Sequence, residues 1–266
     1  MASVNAGTGS GNGEAEGADG PADVSTNTST DTSTEPRRTV VPIVALDYPD
    51  ARSALELASR LGDSCRFYKV GSELFTASGP SVVEALRREG YDVFLDLKLH
   101  DIPNTVAGAM RRIRAMGVRL TTVHASGGRA MLEAAVTAAG GECGVLAVTV
   151  LTSLKGSELE EAFGPGNESV DGVVMRLAEL ARVAGARGIV CSGQEARRVR
   201  ERFGKSLELL VPGIRLPGGR ADDQSRIVTP EAAVAAGADY VVLGRVVSAA
   251  ADPRQVMADI KSRLTA

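Results

Sequence analysis

The 266-residue chain contains no Trp, and aromatic residues make up only 3% of it. Its core must therefore be built from Val, Leu, Ile and Ala, which suits the layered packing of α/β proteins. The scarcity of aromatic side chains also argues against a surface that stacks the bases of single-stranded nucleic acid. No apolar run approaches the length of a membrane span, so we expect no membrane association.

Cysteine is also scarce: three residues lie far apart in the chain, and no pair has metal-ligand spacing. An odd number of widely spaced thiols fits reduced cysteines in a cytoplasmic protein. Cys191 follows the apolar residues 188–190, and we interpret it as a small buried residue rather than a nucleophile. The cysteines thus predict neither a disulfide framework nor a metal site.

Positive charge is missing from the first 36 residues, which contain six acids and no Lys or Arg. Gly, Ser and Thr dominate there, so residues 1–38 are predicted to form a disordered tail. The tail lacks the apolar segment of a secretory signal and is too acidic for a transit peptide. The remaining chain carries 27 acids against 30 Lys and Arg, which suits an anionic small ligand but is too weak a bias to indicate DNA or membrane binding.

From residue 39 to 266, short apolar runs alternate with longer amphipathic stretches. The runs predict eight strands, at residues 41–46, 66–70, 92–95, 119–123, 144–150, 188–190, 207–211 and 240–243. The stretches predict helices at 51–61, 81–89, 105–116, 129–139, 170–184, 194–203, 230–236 and 253–264. Eight such units in about 225 residues predict one α/β domain, a (β/α)8 TIM barrel. A doubly wound open sheet is the alternative, although its Gly-x-Gly-x-x-Gly fingerprint is absent after the first strand.

The most informative segment is the charged D-x-K-x-x-D set at residues 96–101, where the third strand is predicted to end. Because a strand alternates its faces, Asp96 and Lys98 should point the same way, while Asp101 lies past the strand end. Charges at the end of a buried strand are costly unless they pair or do chemistry. A structural ion pair that plugs the barrel end is one interpretation, and a catalytic charge array is the other.

Polar residues stand at the end of every predicted strand, which is where the active sites of barrels lie. They are Asp47, Lys69, Asp96 with Lys98, His124, Thr152 with Ser153, Ser192, Arg215, and Gly244 with Arg245. The acids and lysines of the first three strands would form an array in which neighbours of opposite sign keep the lysines protonated. A protonated lysine in a dry pocket is a natural proton donor to a developing carbanion.

Three further features have two interpretations each. His124 is interpreted as a packed structural residue rather than a base. The long loop at 211–227 is rich in Pro and Gly, which favours a mobile lid over a ligand. Arg245 is either a surface residue or part of a phosphate site, because the loops after strands seven and eight of barrels often bind phosphate. Gln224, on the lid, would close over the same phosphate.

With these residues together, the chain resembles the orotidine 5′-phosphate decarboxylase family from about residue 41 to residue 264. Residues 96–105 match that family's D-x-K-x-x-D-I-P-x-T signature, which is highly specific. Further matches follow in the family's order, at residues 45–47, 69–71, 123–125, 151–153, 191–192, 212–215, 223–226 and 243–245. The acidic tail is not part of the usual pattern.

The resemblance implies decarboxylation of orotidine 5′-monophosphate to uridine 5′-monophosphate in de novo pyrimidine synthesis, with no metal and no organic cofactor. It implies that Lys98 protonates C6 of the pyrimidine and that Asp96 sits against the departing carboxylate. It also implies a homodimer with shared active sites, in which Asp101 and Thr105 reach into the partner's site. The remaining implied contacts are Asp47 and Lys69 to the ribose hydroxyls, Thr152 to the pyrimidine, and Arg215, Gln224, Gly244 and Arg245 to the phosphate.

Two alternatives stay open. One is a magnesium-dependent sugar-phosphate decarboxylase or aldolase of the same superfamily, whose members carry an acid where this chain has Lys69. The positive charge of that lysine disfavours a cation at this place. The other alternative is a non-catalytic protein that binds nucleotide phosphates, which would be expected to have a damaged charge array.

Overall fold

The computed structural model describes residues 8–11, 13, 39–154, 156–163, 169–216 and 228–265. Eight parallel strands close into a barrel in chain order, because the first strand pairs with both the second and the eighth. The predicted TIM barrel is thus confirmed, and the doubly wound alternative is wrong. Nearly all of the predicted disordered tail, residues 1–38, lies outside the described residues, so that prediction stands as made.

The strands agree closely with those predicted from the sequence, except for the third. They are β1 Val41–Ala45, β2 Phe67–Gly71, β3 Asp92–Leu99, β4 Leu120–His124, β5 Gly144–Val148, β6 Gly188–Val190, β7 Glu208–Val211 and β8 Tyr240–Leu243. The prediction that the third strand ends at Leu95 was wrong, because β3 continues through the charged segment to Leu99.

Eleven α-helices lie in the described part of the chain. They are α1 Ala51–Leu61, α2 Ser72–Ser78, α3 Pro80–Arg88, α4 Pro103–Ala115, α5 Arg129–Ala139, α6 Gly156–Phe163, α7 Val170–Val183, α8 Gly193–Phe203, α9 Pro230–Ala235, α10 Arg245–Ser248 and α11 Pro253–Leu264. Three of them, α2, α6 and α10, are short and lie in stretches for which no helix was predicted. Among the residues described, no helix is both long and apolar enough to cross a bilayer.

Local side-chain chemistry fixes several helix starts. Asp50 accepts from the backbone N–H of Ser53 at 2.9 Å and so caps α1. At α8, Ser192 and Glu195 form a capping box, in which each side chain bonds to the other residue's backbone N–H. The helix α11 combines an Asp252 cap with Pro253 at its first position. These caps satisfy backbone N–H groups that have no partner within the helix.

Two apolar cores hold the barrel. One fills its interior with inward-facing strand residues, among them Phe94, Leu120, Leu146 and Leu210, and the other lies between the strands and the surrounding helices. Inward and outward residues alternate along each strand, so the residues of β4 at 120, 122 and 124 face the interior. This alternation decides which polar side chains reach the barrel axis.

Structural ion pairs lie at the N-terminal end of the barrel. Arg119 contacts Asp92 at 2.7 Å where β3 and β4 begin, and Arg187 contacts Glu208 at 2.8 Å before β6 and at β7. Arg119 also lies over the ring of Phe67, 5.2 Å from its centroid. Charges that serve stability thus occupy one end of the barrel, and the charged segment of β3 lies at the other end.

Candidate active site

A cavity of about 480 Å³ opens at the C-terminal ends of the strands. Eight of the residues predicted for the site line it: Asp47, Lys69, Asp96, Lys98, Thr152, Arg215, Gly244 and Arg245. They come from six different strand ends or the loops that follow them, so the barrel brings together side chains that are distant in sequence. The lining also includes the apolar residues Phe94, Val148, Val190, Leu210 and Val242, so the base of the cavity is apolar.

Lys69 and Asp47 form the first charged pair of the cavity. Lys69 lies in β2, adjacent to the end of β1, and its Nζ donates to Asp47 Oδ1 at 2.7 Å. The lysine side chain is only 11% exposed, whereas the carboxylate is 58% exposed and faces the opening. The pair packs directly against Gly71, where an added Cβ would lie 2.9 Å from Lys69 Nζ and 3.3 Å from Asp47 Oδ1. The absence of a side chain at Gly71 therefore makes room for the pair.

Lys98 and Asp96 form the second pair, with Lys98 Nζ donating to Asp96 Oδ2 at 2.8 Å. The carboxylate is 13% exposed and the lysine 37% exposed. The two side chains meet as predicted, but regular strand alternation is not the reason. Lys98 has a φ of 51°, and it is the one non-glycine residue with positive φ in the described part of the chain. The register between β3 and β4 shifts at this point, between Leu95 and Leu99.

Thr122 is a contact of this pair that the sequence did not reveal. Its hydroxyl, on the inward face of β4, donates to Asp96 Oδ1 at 2.8 Å. The Thr122 hydroxyl oxygen also accepts a hydrogen bond from the backbone N–H of Lys98 at 2.9 Å. A threonine within an apolar strand gives no charge or motif signal, and only the register of β3 against β4 places it here.

His124 and His100 lie beside one another, with ring centroids 5.4 Å apart, and neither lines the cavity. Burial is the main reason that the pKa of His124 lies below its usual value, and the nearby charges of His100 and Lys98 lower it further. This placement agrees with the interpretation of His124 as a structural residue. Cys191 is also buried, and burial raises the pKa of its thiol, as expected for a structural residue rather than a nucleophile.

Arginine and glycine residues line the part of the cavity next to β7 and β8. Arg215 follows β7, and Gly244 and Arg245 follow β8. The base of the predicted lid is a short bridge in which Arg215 N–H donates to the Val228 carbonyl at 3.0 Å. Most of the lid, including Gln224, lies outside the described residues.

Of the predicted site residues that the structure describes, Asp101 and Thr105 are the two that do not line the cavity of their own chain. Both are exposed, on the segment between β3 and the first turn of α4. Between them Ile102 is 67% exposed, which is unusual for a large apolar side chain in this chain.

Comparisons with known proteins identify the family of this chain. Residues 41–260 match the family model described as Orotidine 5′-phosphate decarboxylase / HUMPS family. Proteins named orotidine 5′-phosphate decarboxylase from Halorhodospira halophila and Laribacter hongkongensis are each 50% identical to the chain over 229 residues, covering 84% of it and 95% and 93% of their own lengths. A crystal structure of orotidine 5′-phosphate decarboxylase from Lactobacillus acidophilus superposes with a TM-score of 0.76 at 34% identity, covering 86% of this chain and all of that one.

The fold and the comparisons therefore define the class as a (β/α)8 barrel enzyme, and the candidate site lies at the C-terminal ends of its strands. The chain belongs to the orotidine 5′-phosphate decarboxylase / HUMPS family, and the resemblance seen in its sequence is confirmed.

Proposed function

We propose that this chain decarboxylates orotidine 5′-monophosphate to uridine 5′-monophosphate in pyrimidine biosynthesis, without a cofactor, in the cavity at the C-terminal end of the barrel. The observation that carries the proposal is the Asp96–Lys98 pair, which faces a cavity with an apolar base. The named relatives, half of whose residues are identical to this chain, support the same activity.

The reaction needs stabilisation of a carbanion that no cofactor delocalises. As the bond between C6 and the carboxylate breaks, carbon dioxide leaves and the electron pair stays on C6. The Lys98 ammonium stabilises this charge and then transfers a proton to C6, after which solvent reprotonates the amine. A fixed ammonium in a water-excluding site stabilises developing charge far better than bulk water does. Asp96 sits against the departing carboxylate and holds Lys98 in place.

The other residues predicted for the site bind the parts of the substrate away from the breaking bond. Asp47 and Lys69 contact the ribose hydroxyls, Thr152 contacts the pyrimidine, and Arg215, Gln224, Gly244 and Arg245 hold the phosphate. A guanidinium suits a phosphate because it offers paired donors. Binding energy at the phosphate is available to offset the cost of ordering the reacting groups.

We further propose a homodimer with shared active sites. Asp101 and Thr105 are exposed and do not line the cavity of their own chain, and the exposed Ile102 lies between them in the sequence. In a dimer these side chains would complete the partner's site, next to its Lys98. The three unpaired, buried cysteines support a reducing compartment, and we propose the cytoplasm.

The experiment is the ultraviolet absorbance of orotidine 5′-monophosphate with purified protein and a chelator. Loss of the substrate band, with uridine 5′-monophosphate as the product, would support the proposal. Activity that disappears with chelator and returns with magnesium would favour the sugar-phosphate enzymes of this superfamily. Binding of uridine 5′-monophosphate without turnover would favour a non-catalytic binding protein. The pairing of both carboxylates with ammonium groups argues against a dication between them.

A further inference from the structure

Thr122 contacts both members of the Asp96–Lys98 pair, although it is uncharged and does not line the cavity. Its side chain is fully buried. The hydroxyl has a single proton to donate, which goes to the Asp96 carboxylate, and it uses a lone pair to accept from Lys98 N–H. One buried group thus connects the acid to the backbone that carries the lysine.

The two contacts hold the Asp96 carboxylate and the Lys98 backbone N–H, which the regular pairing of β3 with β4 does not fix. Lys98 Nζ bonds to one oxygen of the Asp96 carboxylate, and Thr122 bonds to the other, so the rotation of the carboxylate is set from two sides. The Lys98 N–H lies where the regular pairing of β3 with β4 is interrupted. There the Thr122 hydroxyl takes the place of the backbone carbonyl that a regular strand pair would supply.

We propose that Thr122 is a positioning residue for the decarboxylation, and that its hydroxyl sets the orientation of the Asp96 carboxylate and the Lys98 ammonium. The inference rests on the proposed function, because the orientation affects turnover only if Lys98 is the proton donor. A displacement of about 1 Å in a catalytic group can lower a rate about 100-fold. Since Thr122 does not line the cavity, its loss should reduce kcat and leave substrate affinity nearly unchanged.

Thr121 offers a matched control in the same strand. It is adjacent to Thr122, equally buried, and its hydroxyl also bonds to β3, donating to the Leu95 carbonyl at 2.8 Å. Because neighbouring strand residues face opposite ways, the Thr121 side chain points out of the barrel interior. Replacement of either threonine by valine removes one buried hydroxyl at nearly constant volume, but only one of the two hydroxyls touches the charged pair.

The experiment measures kcat and KM for orotidine 5′-monophosphate in the wild type and in Thr122→Val, Thr122→Ser, Thr121→Val and Lys98→Ala. We expect Thr122→Val to lower kcat about 10- to 100-fold, as loss of a hydrogen bond to a charged group predicts. KM and the affinity for uridine 5′-monophosphate should change less than about 3-fold, because the residues that line the cavity and bind the substrate are unchanged. Thr122→Ser should recover most of the lost kcat, and Thr121→Val should retain wild-type kcat.

Equal kcat in the two valine variants would overturn the inference. A Thr122→Ser protein as impaired as Thr122→Val would overturn it as well, because the hydroxyl would then not be the cause. If Thr122→Val does not fold, Thr122→Ala replaces it in the comparison with Thr122→Ser, and equal rates in that pair would overturn the inference. A fully active Lys98→Ala protein would overturn the proposed function itself. An inactive Lys98→Ala beside a fully active Thr122→Val would overturn only the role of Thr122.

Discussion

Lys98 donates to Asp96 at 2.8 Å from a backbone with a φ of 51°, so the two side chains meet across an irregular turn of their own strand. A residue with a Cβ adopts this region at a cost of about 1–3 kcal/mol. Structural ion pairs at the other end of the barrel need no such conformation. The strained backbone therefore supports the interpretation of the pair as a catalytic array rather than a plug of the barrel end.

Mixing two inactive variants tests the shared active sites. Asp101→Ala and Lys98→Ala proteins should each be inactive, yet activity should return when they are mixed and allowed to exchange subunits. In the hybrid, one site combines Lys98 of one subunit with Asp101 of the other. A mixture of Lys98→Ala with Asp96→Ala is the control. One subunit supplies both of these residues to a site, so no site in a hybrid of these two variants is intact. If the first mixture gains no more activity than the control, Asp101 does not act across an interface.

Gly71→Ala should weaken substrate binding while leaving the fold intact. Gly71 has a φ of −91°, which any residue adopts, so the added methyl group strains no backbone. It would instead lie 2.9 Å from Lys69 Nζ and displace the Lys69–Asp47 pair. We expect KM for orotidine 5′-monophosphate to rise by about 10-fold, as loss of a charge-assisted hydrogen bond predicts, with a melting temperature close to that of the wild type. An unchanged KM would show that the pair does not contact the substrate.

Arg215→Ala tests the phosphate end of the cavity. Loss of the guanidinium should lower the affinity for uridine 5′-monophosphate by about 10- to 100-fold, the usual effect of removing a hydrogen bond to a charged group. The nucleoside uridine, which has no phosphate, provides the control and should bind the variant and the wild type equally. An equal loss of affinity for uridine would show that Arg215 does not act on the phosphate.

His124 should make the protein less stable as the pH falls below about 6.5. Its pKa in the folded protein lies below the ordinary value of 6.5, chiefly because of burial, so the unfolded chain takes up a proton that the folded chain resists. The stability that this histidine contributes is complete above pH 6.5 and declines as the pH falls through the lowered pKa. The melting temperature of His124→Gln should therefore fall less between pH 7 and pH 5 than that of the wild type. Equal declines in both proteins would contradict this assignment.

The barrel and most of the candidate site could be predicted because their signals are local. Apolar runs mark the strands, and a polar residue at each strand end, such as Asp47 or Arg215, indicates the side of the barrel that carries the site. The extension of β3 to Leu99 could not be predicted from these signals. The left-handed backbone conformation of Lys98 breaks the strand alternation on which the prediction depends. Thr122 was missed because its importance comes from the register between two strands, which is a property of tertiary structure.

The most direct test of the account is the turnover of orotidine 5′-monophosphate by Lys98→Ala, measured in chelator together with the affinity for uridine 5′-monophosphate. Lys205, an exposed lysine before β7, gives the control variant Lys205→Ala. We expect Lys98→Ala to bind the nucleotide but to lose several orders of magnitude in kcat, while Lys205→Ala retains full activity. A Lys98→Ala protein with wild-type turnover would contradict the role of Lys98 as the proton donor.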